Sequence, residues 1–312
     1  MKNKKIIVTG GLGFIGSHLI ESLYENNNTV IIDDQSTGHI QNIKDFNSSK
    51  IDINLDDITQ INLENIFEGA DYIFHMAAMT SVTQSVIDPI RCNDINITGT
   101  LKVLEAARKC EVKKVIFSSS AAVYGETESL PINENIPFNP LSPYAVSKIT
   151  GELYCDIYSE IYGLPTVSLR YFNVFGPRQD PRSDYASVIP IFVDKIFKNE
   201  TPVIYGDGEQ TRDFVHVKKV VEANILSAKS HKTGVFNIGQ GKNIPINQLL
   251  KIVQNVIGKD IKSRYEELRA GEIKHSLADI SKAIAIGYIP KNGFREELEE
   301  TIEWFKSKKS ES

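Results

Sequence analysis

Tyr144 and Lys148 stand four residues apart in "LSPYAVSK", residues 141 to 148, directly after Pro143. Positions i and i+4 share one face of a helix, and many such pairs simply face solvent. The pair can also do proton chemistry. A phenol with a solution pKa of about 10 is a poor base at neutral pH. An ammonium one helical turn away favours the phenolate and lowers that pKa. Pro143 can open the helix just before Tyr144 and so fix where the phenol emerges.

"VTGGLGFIGSHL" places Gly10, Gly13 and Gly16, with Phe14 and Ile15 between the last two, directly after an apolar strand and at a helix start. A tight turn and close approach of backbone to a pyrophosphate both require residues without side chains. The helix N-terminus adds free N–H groups and a positive dipole end. A glycine triplet alone is a common turn; the strand–turn–helix context points to a dinucleotide. "VIIDD" ends the next strand at Asp33, 23 residues after Gly10, with Asp34 beside it. A carboxylate there accepts from a ribose diol and repels a 2′-phosphate, which favours NAD over NADP. Asp57 and Ile58 follow the third strand, where an adenine can be contacted. Ala77 and Ala78 in "MAAMTS" either line the same ligand or pack helix against sheet.

The bulk properties set the frame for these residues. The chain has 312 residues, 41% hydrophobic and 24% charged, as expected of an ordinary globular protein large enough for a full core. A net charge of −5 argues against nucleic acid as the main partner. Cys92, Cys110 and Cys155 are far apart and odd in number, so neither a disulfide framework nor a zinc site is expected, and reduced thiols in the cytoplasm are. The apolar run after "MKNKK" is too short for a signal peptide, and no stretch approaches the roughly 18 apolar residues of a membrane span.

Short runs rich in Ile and Val alternate with helical patterns. "KKIIVTG", "NTVIIDD", "SKIDINL", "DYIFHMAA", "KKVIFSSS" and "PTVSLRYFNVFG" read as strands, and "IGSHLIESLYEN" and "NITGTLKVLEAARKC" as helices between them. Continuous rather than alternating apolar runs indicate strands buried on both faces. The expected fold is therefore α/β, a Rossmann-type doubly wound parallel sheet over residues 1–175. Residues 176–312 read mainly as a smaller, interleaved substrate-binding lobe, with about 213–240 returning to the first domain and "GVFNIG" as one more buried strand. "GPRQDPRSDYAS" reads as a long functional loop, and "VIPIFVDKIFKN" and "INQLLKIVQNVIG" as helices.

The fifth strand ends in "SSSAAVYG", and "SPYAVSK" follows about twenty residues later. With the N-terminal glycines, "NDINITGTL", "RYFNVFGPRQ", "YGDGEQTRDFVHV" and "RAGEIKHSLADISKA", nearly the whole chain resembles the extended short-chain dehydrogenase/reductases, and within them the nucleotide-sugar 4-epimerases. The resemblance implies that the proton of the C4 hydroxyl and the hydride on C4 itself are both removed, and that the hydride then returns to the opposite face of the carbon. Tyr144 is then the base, Lys148 holds the phenolate and the nicotinamide ribose, and Ser120 shares the proton. Ser118 and Asn96 fall on the cofactor side. Simple capping is the alternative for the serines. Related dehydratases carry an Asp-Glu pair after the active-site hydroxyl; Ala121 and Ala122 stand here and disfavour elimination.

For a UDP-sugar the resemblance implies Arg212 and Arg269 on the diphosphate, where planar guanidinium donors pair with phosphate oxygens. Ion pairs with Asp213 and Glu272 are the alternatives. Asn173 contacts the diphosphate or the sugar, Arg178 has a weaker claim, and Val188, Tyr205 and Gln210 frame the uracil. Thr80, with Ser81, takes the place of a lysine found in several glucose/galactose enzymes. Ser276 occupies the gatekeeper position of the hexose pocket, where a bulky tyrosine would exclude an N-acetyl group and a small residue leaves room. The implied reaction is thus 4-epimerisation of UDP-N-acetylglucosamine, with UDP-glucose possible alongside; a uronic acid epimerase, a dehydratase or a non-catalytic sensor are the competing readings. No metal is expected, and His75 reads as a core residue. In the helix after Pro143, Ile149, Leu153, Ile157 and Ile161 form one stripe and Tyr154, Tyr158 and Tyr162 another, one of which can cover the sheet. The resemblance pairs this helix with the one around 97–110 across a homodimer.

Overall fold

A computed structural model of the chain describes residues 1–180, 187–268 and 273–310. Its strands are β1 (Lys5–Thr9), β2 (Asn28–Ile32), β3 (Ile51–Asn54), β4 (Tyr72–His75), β5 (Lys114–Ser120), β6 (Thr166–Tyr171), β7 (Asn173–Phe175), β8 (Val203–Tyr205), β9 (Thr211–His216), β10 (Gly234–Ile238), β11 (Asn243–Pro245) and β12 (Arg264–Glu266). Seven of them form one sheet in the order β3-β2-β1-β4-β5-β6-β10. Every pairing in it is parallel. Ile6, Ile7 and Val8 of β1 exclude solvent completely, which is why these strands read as unbroken apolar runs. Each such side chain contributes about 1.5–3 kcal/mol on burial.

The helices are α1 (Phe14–Leu23), α2 (Leu63–Phe67), α3 (Val82–Ile87), α4 (Pro89–Asn93), α5 (Gly99–Lys109), α6 (Pro143–Tyr162), α7 (Val188–Phe197), α8 (Val217–Lys229), α9 (Ile246–Ile257), α10 (Ser281–Ile284) and α11 (Phe294–Ser310). One apolar layer joins the sheet to Leu19 and Ile20 of α1 and Val220 and Ala223 of α8. The other joins it to Phe67 of α2, Val103 and Leu104 of α5 and Cys155 of α6. A separate core, with Phe192, Leu249 and Leu298, packs α7, α9 and α11 against the three-stranded sheet β11-β9-β7.

Two sequence expectations change here. "PTVSLRYFNVFG" is not one strand. It breaks at Phe172, whose N–H donates to the Ile238 carbonyl at 3.0 Å. β6 stays in the large sheet while β7 runs parallel to β9 in the small one. The chain thus changes sheets within a continuously apolar segment.

The second change concerns α6. Leu153, Ile157 and Ile161 are exposed, as is Tyr162, so the aliphatic stripe does not cover the sheet. The sheet-facing side is Ala145, Lys148, Gly151, Glu152, Cys155 and Tyr158. Gly151 permits the close approach: a Cβ there would sit 2.4 Å from Cζ of Phe117. Of the tyrosine stripe, Tyr158 is buried and donates to Glu105 of α5 at 3.1 Å.

Candidate active site

The N-terminus of α6 is built to place Tyr144. Ser142 caps it, accepting from the Ala145 N–H at 3.1 Å, and Pro143 takes the first helical position, where a missing N–H costs nothing. The Tyr144 N–H donates to the Ser85 hydroxyl at 3.1 Å, tying the helix start to α3. The buried phenol lies beside the Ser120 hydroxyl at the end of β5, which opposes the effect of burial on it. Lys148, one turn on and also buried, donates to the Ser118 carbonyl at 2.8 Å. Its ammonium lies 5.7 Å from the centre of the Tyr144 ring and 5.0 Å from that of Phe117.

The three serines part company. Ser118 shares a hydrogen bond with the Tyr171 hydroxyl at 3.2 Å, and Ser119 donates to Glu152. Ser120 also accepts from the Ala122 N–H at 3.1 Å, so it caps the following turn and still meets the phenol. A hydroxyl has one proton and two lone pairs, enough for both.

Burial pushes the Tyr144 phenol up to about 12, with the Ser120 hydrogen bond opposing. Burial likewise pulls Lys148 down to about 8. The expected lowering of the phenol by its lysine is therefore not produced by the protein's own groups. Desolvation sets the direction, and the ammonium is aimed at a carbonyl rather than at the phenol oxygen.

The nucleotide end is a glycine cradle. Gly10 has φ +69°, and a Cβ on it would lie 2.8 Å from the Ala77 nitrogen; on Gly16 it would lie 2.1 Å from the Gly10 carbonyl. Gly13 begins α1 with no side-chain cap, which leaves the first-turn N–H groups for a ligand. Phe14 and Ile15 are half-buried, Phe14 edge-on to His18 and Ile15 on the core. Asp33 is buried and braces the turn, accepting from Leu12 N–H at 2.9 Å and Gln35 N–H at 2.8 Å. These use two of about four acceptor sites on the carboxylate. Asp34 is exposed and accepts from Ser36.

The other residues expected on this side differ in their placing. Asp57 accepts from Thr59 N–H at 2.7 Å, while the Ile58 side chain is core. Ala77 packs on that core at the edge of the cradle, its N–H donating to Thr9, and Ala78 is half-buried beside it. Asn96 is buried and clamps the loop after β4, accepting from Met79 N–H at 2.7 Å and donating to Ser147 at 2.9 Å. His75 is a satisfied core residue between Thr9 and Thr100, at 2.7 and 2.9 Å.

In the lobe, Arg212 and Ser276 come from adjacent segments. Arg212, on β9, donates to the Thr211 carbonyl at 2.9 Å. The Ser276 N–H donates to the same carbonyl at 3.1 Å, and the serine is buried. Asp213 points to the opposite face, as successive strand residues do. Its carboxylate accepts from Gln240, Gly241 and Ala278 N–H groups at 2.7, 3.0 and 3.1 Å. Asn173 begins β7 and is half-buried. Gln210 donates to the Tyr205 carbonyl at 2.7 Å, and Val188 opens α7. Thr80 is exposed, and Ser81 is the N-cap of α3, accepting from Gln84 N–H at 3.1 Å. Arg178 goes to the cofactor helix rather than the lobe, paired with Glu21 of α1 at 2.7 Å. Arg269, with Glu272, and residues 181–186 of the long loop lie outside the described residues.

Sequence reading missed Ser85 and Ser147, whose hydroxyls are ordinary in sequence, and the buried pair Glu152–Arg170. An arginine inside the apolar run "VSLRYF" was the available signal, because a buried guanidinium requires a buried acceptor. Among the described residues no cluster could hold a metal ion, and no helix is long and apolar enough to cross a membrane.

Residues 6–239 match the NAD dependent epimerase/dehydratase family. The fold has a TM-score of 0.97 to UDP-N-acetylglucosamine 4-epimerase from Methanobrevibacter ruminantium, solved with UDP-N-acetylmuramic acid; identity is 49%, covering 99% of this chain and 100% of that one. It has a TM-score of 0.93 to UDP-glucose 4-epimerase of Thermotoga maritima with UDP-glucose, 38% identical over 97% of this chain and 99% of that one. UDP-glucose 4-epimerase of Mycolicibacterium smegmatis is 35% identical over 311 residues, 97% of this chain and 99% of the relative. The chain belongs to the NAD dependent epimerase/dehydratase family, in its nucleotide-sugar 4-epimerase branch. NAD is its cofactor, and the glycine cradle with its uncapped helix fits that group.

Proposed function

We propose that this enzyme interconverts UDP-N-acetylglucosamine and UDP-N-acetylgalactosamine through a 4-keto sugar, with Tyr144 as the base. The observation that carries the reading is the meeting of Ser120, Tyr144 and Lys148 at the carboxyl end of β5. Ligands in doubly wound sheets lie across those strand ends. When bound, NAD would supply a hydride acceptor for C4 and a positive charge that favours the phenolate. Tyr144 takes the proton of the C4 hydroxyl, and Ser120 hydrogen-bonds the same oxygen. Lys148 would steady the phenolate by charge and hold the nicotinamide ribose. Tyr144 would then return its proton to the C4 oxygen, which would complete the inversion once hydride is delivered to the other face. Ala121 and Ala122, in the turn after β5, offer no acid for elimination.

On the substrate side, Arg212 and Arg269 hold the diphosphate, Asn173 its sugar end, and Val188, Tyr205 and Gln210 frame the uracil; Thr80 and Ser81 border the hexose. Ser276 admits the C2 N-acetyl group. It is buried, lies on the segment beside Arg212 and has little side-chain volume. The N-acetylated hexose in the M. ruminantium relative's complex supports the same choice. Gly10, Gly13, Phe14, Ile15, Gly16, Asp33, Asp34, Asp57, Ile58, Ala77, Ala78, Asn96 and Ser118 make the NAD side, Ile58 and Asn96 by shaping its walls. The enzyme works in the cytoplasm, consistent with three free cysteines, and as a homodimer through the exposed stripe of α6.

The test is incubation of the purified protein with UDP-N-acetylglucosamine, UDP-glucose and UDP-glucuronate, with C4 epimers resolved by NMR. Turnover of the first is expected, and no epimer from any of them would overturn the proposal. Ser276→Tyr should suppress the acetylated substrate by at least about tenfold and spare UDP-glucose. Equal loss of both would remove the gatekeeper role.

A further inference from the structure

Arg170 stands in the apolar strand β6 and is 3% exposed; Glu152, on α6, is 1% exposed. The guanidinium grips the carboxylate at both oxygens, Nε to Oε1 at 2.9 Å and Nη2 to Oε2 at 2.6 Å. Its remaining nitrogen donates to the Tyr124 hydroxyl at 2.7 Å and the Glu134 carbonyl at 3.3 Å. Tyr124 in turn donates to Asn237 of β10 at 2.6 Å. Ser119 donates its hydroxyl to Glu152. A buried pair of this kind is weak evidence for stability, since well-packed apolar replacements are often as stable.

Glu152 lies one turn beyond Lys148 on the same face of α6. The groups facing Lys148 are Tyr144, Glu152 and Cys155 of its own helix, Cys92 of α4 and His75 of β4. Burial holds both thiols protonated and His75 neutral. Glu152 is the carboxylate of the set, ion-paired to Arg170.

We propose that Arg170 is a positioning residue that holds Glu152 away from Lys148, so that the ammonium stays on the Ser118 carbonyl and beside the Tyr144 ring. The inference rests on Tyr144 and Lys148 being the catalytic pair. Without Arg170 a buried carboxylate loses its bidentate partner, and the neighbouring buried cation is Lys148. An ion pair between them draws the ammonium off Ser118 and weakens its hold on the phenolate.

The experiment compares the pH profiles of kcat for Arg170→Met, Glu152→Gln and the double variant, each checked for melting temperature and retained NAD. Arg170→Met should lower kcat at neutral pH about tenfold and move the optimum up by about one pH unit, with KM changed less than about threefold. The double variant, which leaves no buried charge, should return the optimum to the parent's. A folded Arg170→Met with the parent's profile, or a double variant that keeps the shift, overturns the inference. If Arg170→Met does not fold, Glu152→Gln decides: removing the anion should move the optimum down, and an unmoved optimum overturns the idea. Tyr144→Phe runs alongside. Epimerisation surviving that change would overturn the catalytic reading itself, whereas its loss with unmoved optima would overturn the role of Arg170 alone.

Discussion

At the scale of the residue, Tyr144 and Lys148 answer to desolvation before they answer to each other. A phenol pushed up to about 12 by burial needs positive charge close by in order to act near neutral pH. Lys148 is one source of it. Burial has lowered that lysine to about 8, so its cation is full well below pH 8 and is lost as pH rises through that value. The rate should therefore fall on the alkaline side from about pH 8, and a rate–pH profile that stays flat to pH 10 would contradict this. Tyr144→Phe should cost about 10²–10⁴ in kcat with little change in KM, read from steady-state rates. The Tyr–Lys spacing was legible because helix geometry is local. Which of three consecutive serines meets the phenol was not, since only packing separates Ser120 from Ser118 at Tyr171 and Ser119 at Glu152.

At the scale of the element, the glycine turn and the start of α1 form one unit. A methyl on Gly16 would sit 2.1 Å from the Gly10 carbonyl, a contact that only backbone movement relieves. Gly16→Ala should therefore abolish NAD retention and cost stability of about 1–3 kcal/mol; retained cofactor and melting temperature measure the two effects. Strand–turn–helix order showed this unit in the sequence. The break between β6 and β7 was hidden, because an apolar run satisfies either sheet and the change of partner at Phe172 leaves no polar mark. The side of α6 that meets the sheet was also hidden. It is the small and polar side, with Gly151 against Phe117, whereas the larger aliphatics point outward.

At the scale of the molecule, that outward stripe is one of several sets of exposed apolar residues. Ile87 and Ile90, on α3 and α4, are 64% and 74% exposed, and Ile161 is 66% exposed. A second copy of α6 would bury such a face. Ile157→Glu should then give a monomer by light scattering while leaving the fold intact; an unchanged dimer would place the interface elsewhere, and a monomeric parent would remove it. The lobe shows a second long-range arrangement. Asp213 joins the loop after β10 to the segment carrying Ser276, so that segment and Arg212 are both held by one strand, β9.

The sequence by itself determined the parallel sheet, the dinucleotide cradle and the phenol–ammonium pair. Each leaves a local mark in the sequence, as apolar runs, turn glycines or helical spacing, where periodicity and turn chemistry act directly. Tertiary structure alone decided which hydroxyl faces the phenol, which side of α6 is buried, and that Arg178 joins the cofactor helix. It also brought Arg170 to Glu152 and Ser276 to the Arg212 segment, contacts between side chains or backbone on different elements. Such contacts answer to desolvation and packing volume, which depend on what else occupies the space and so have no local signature.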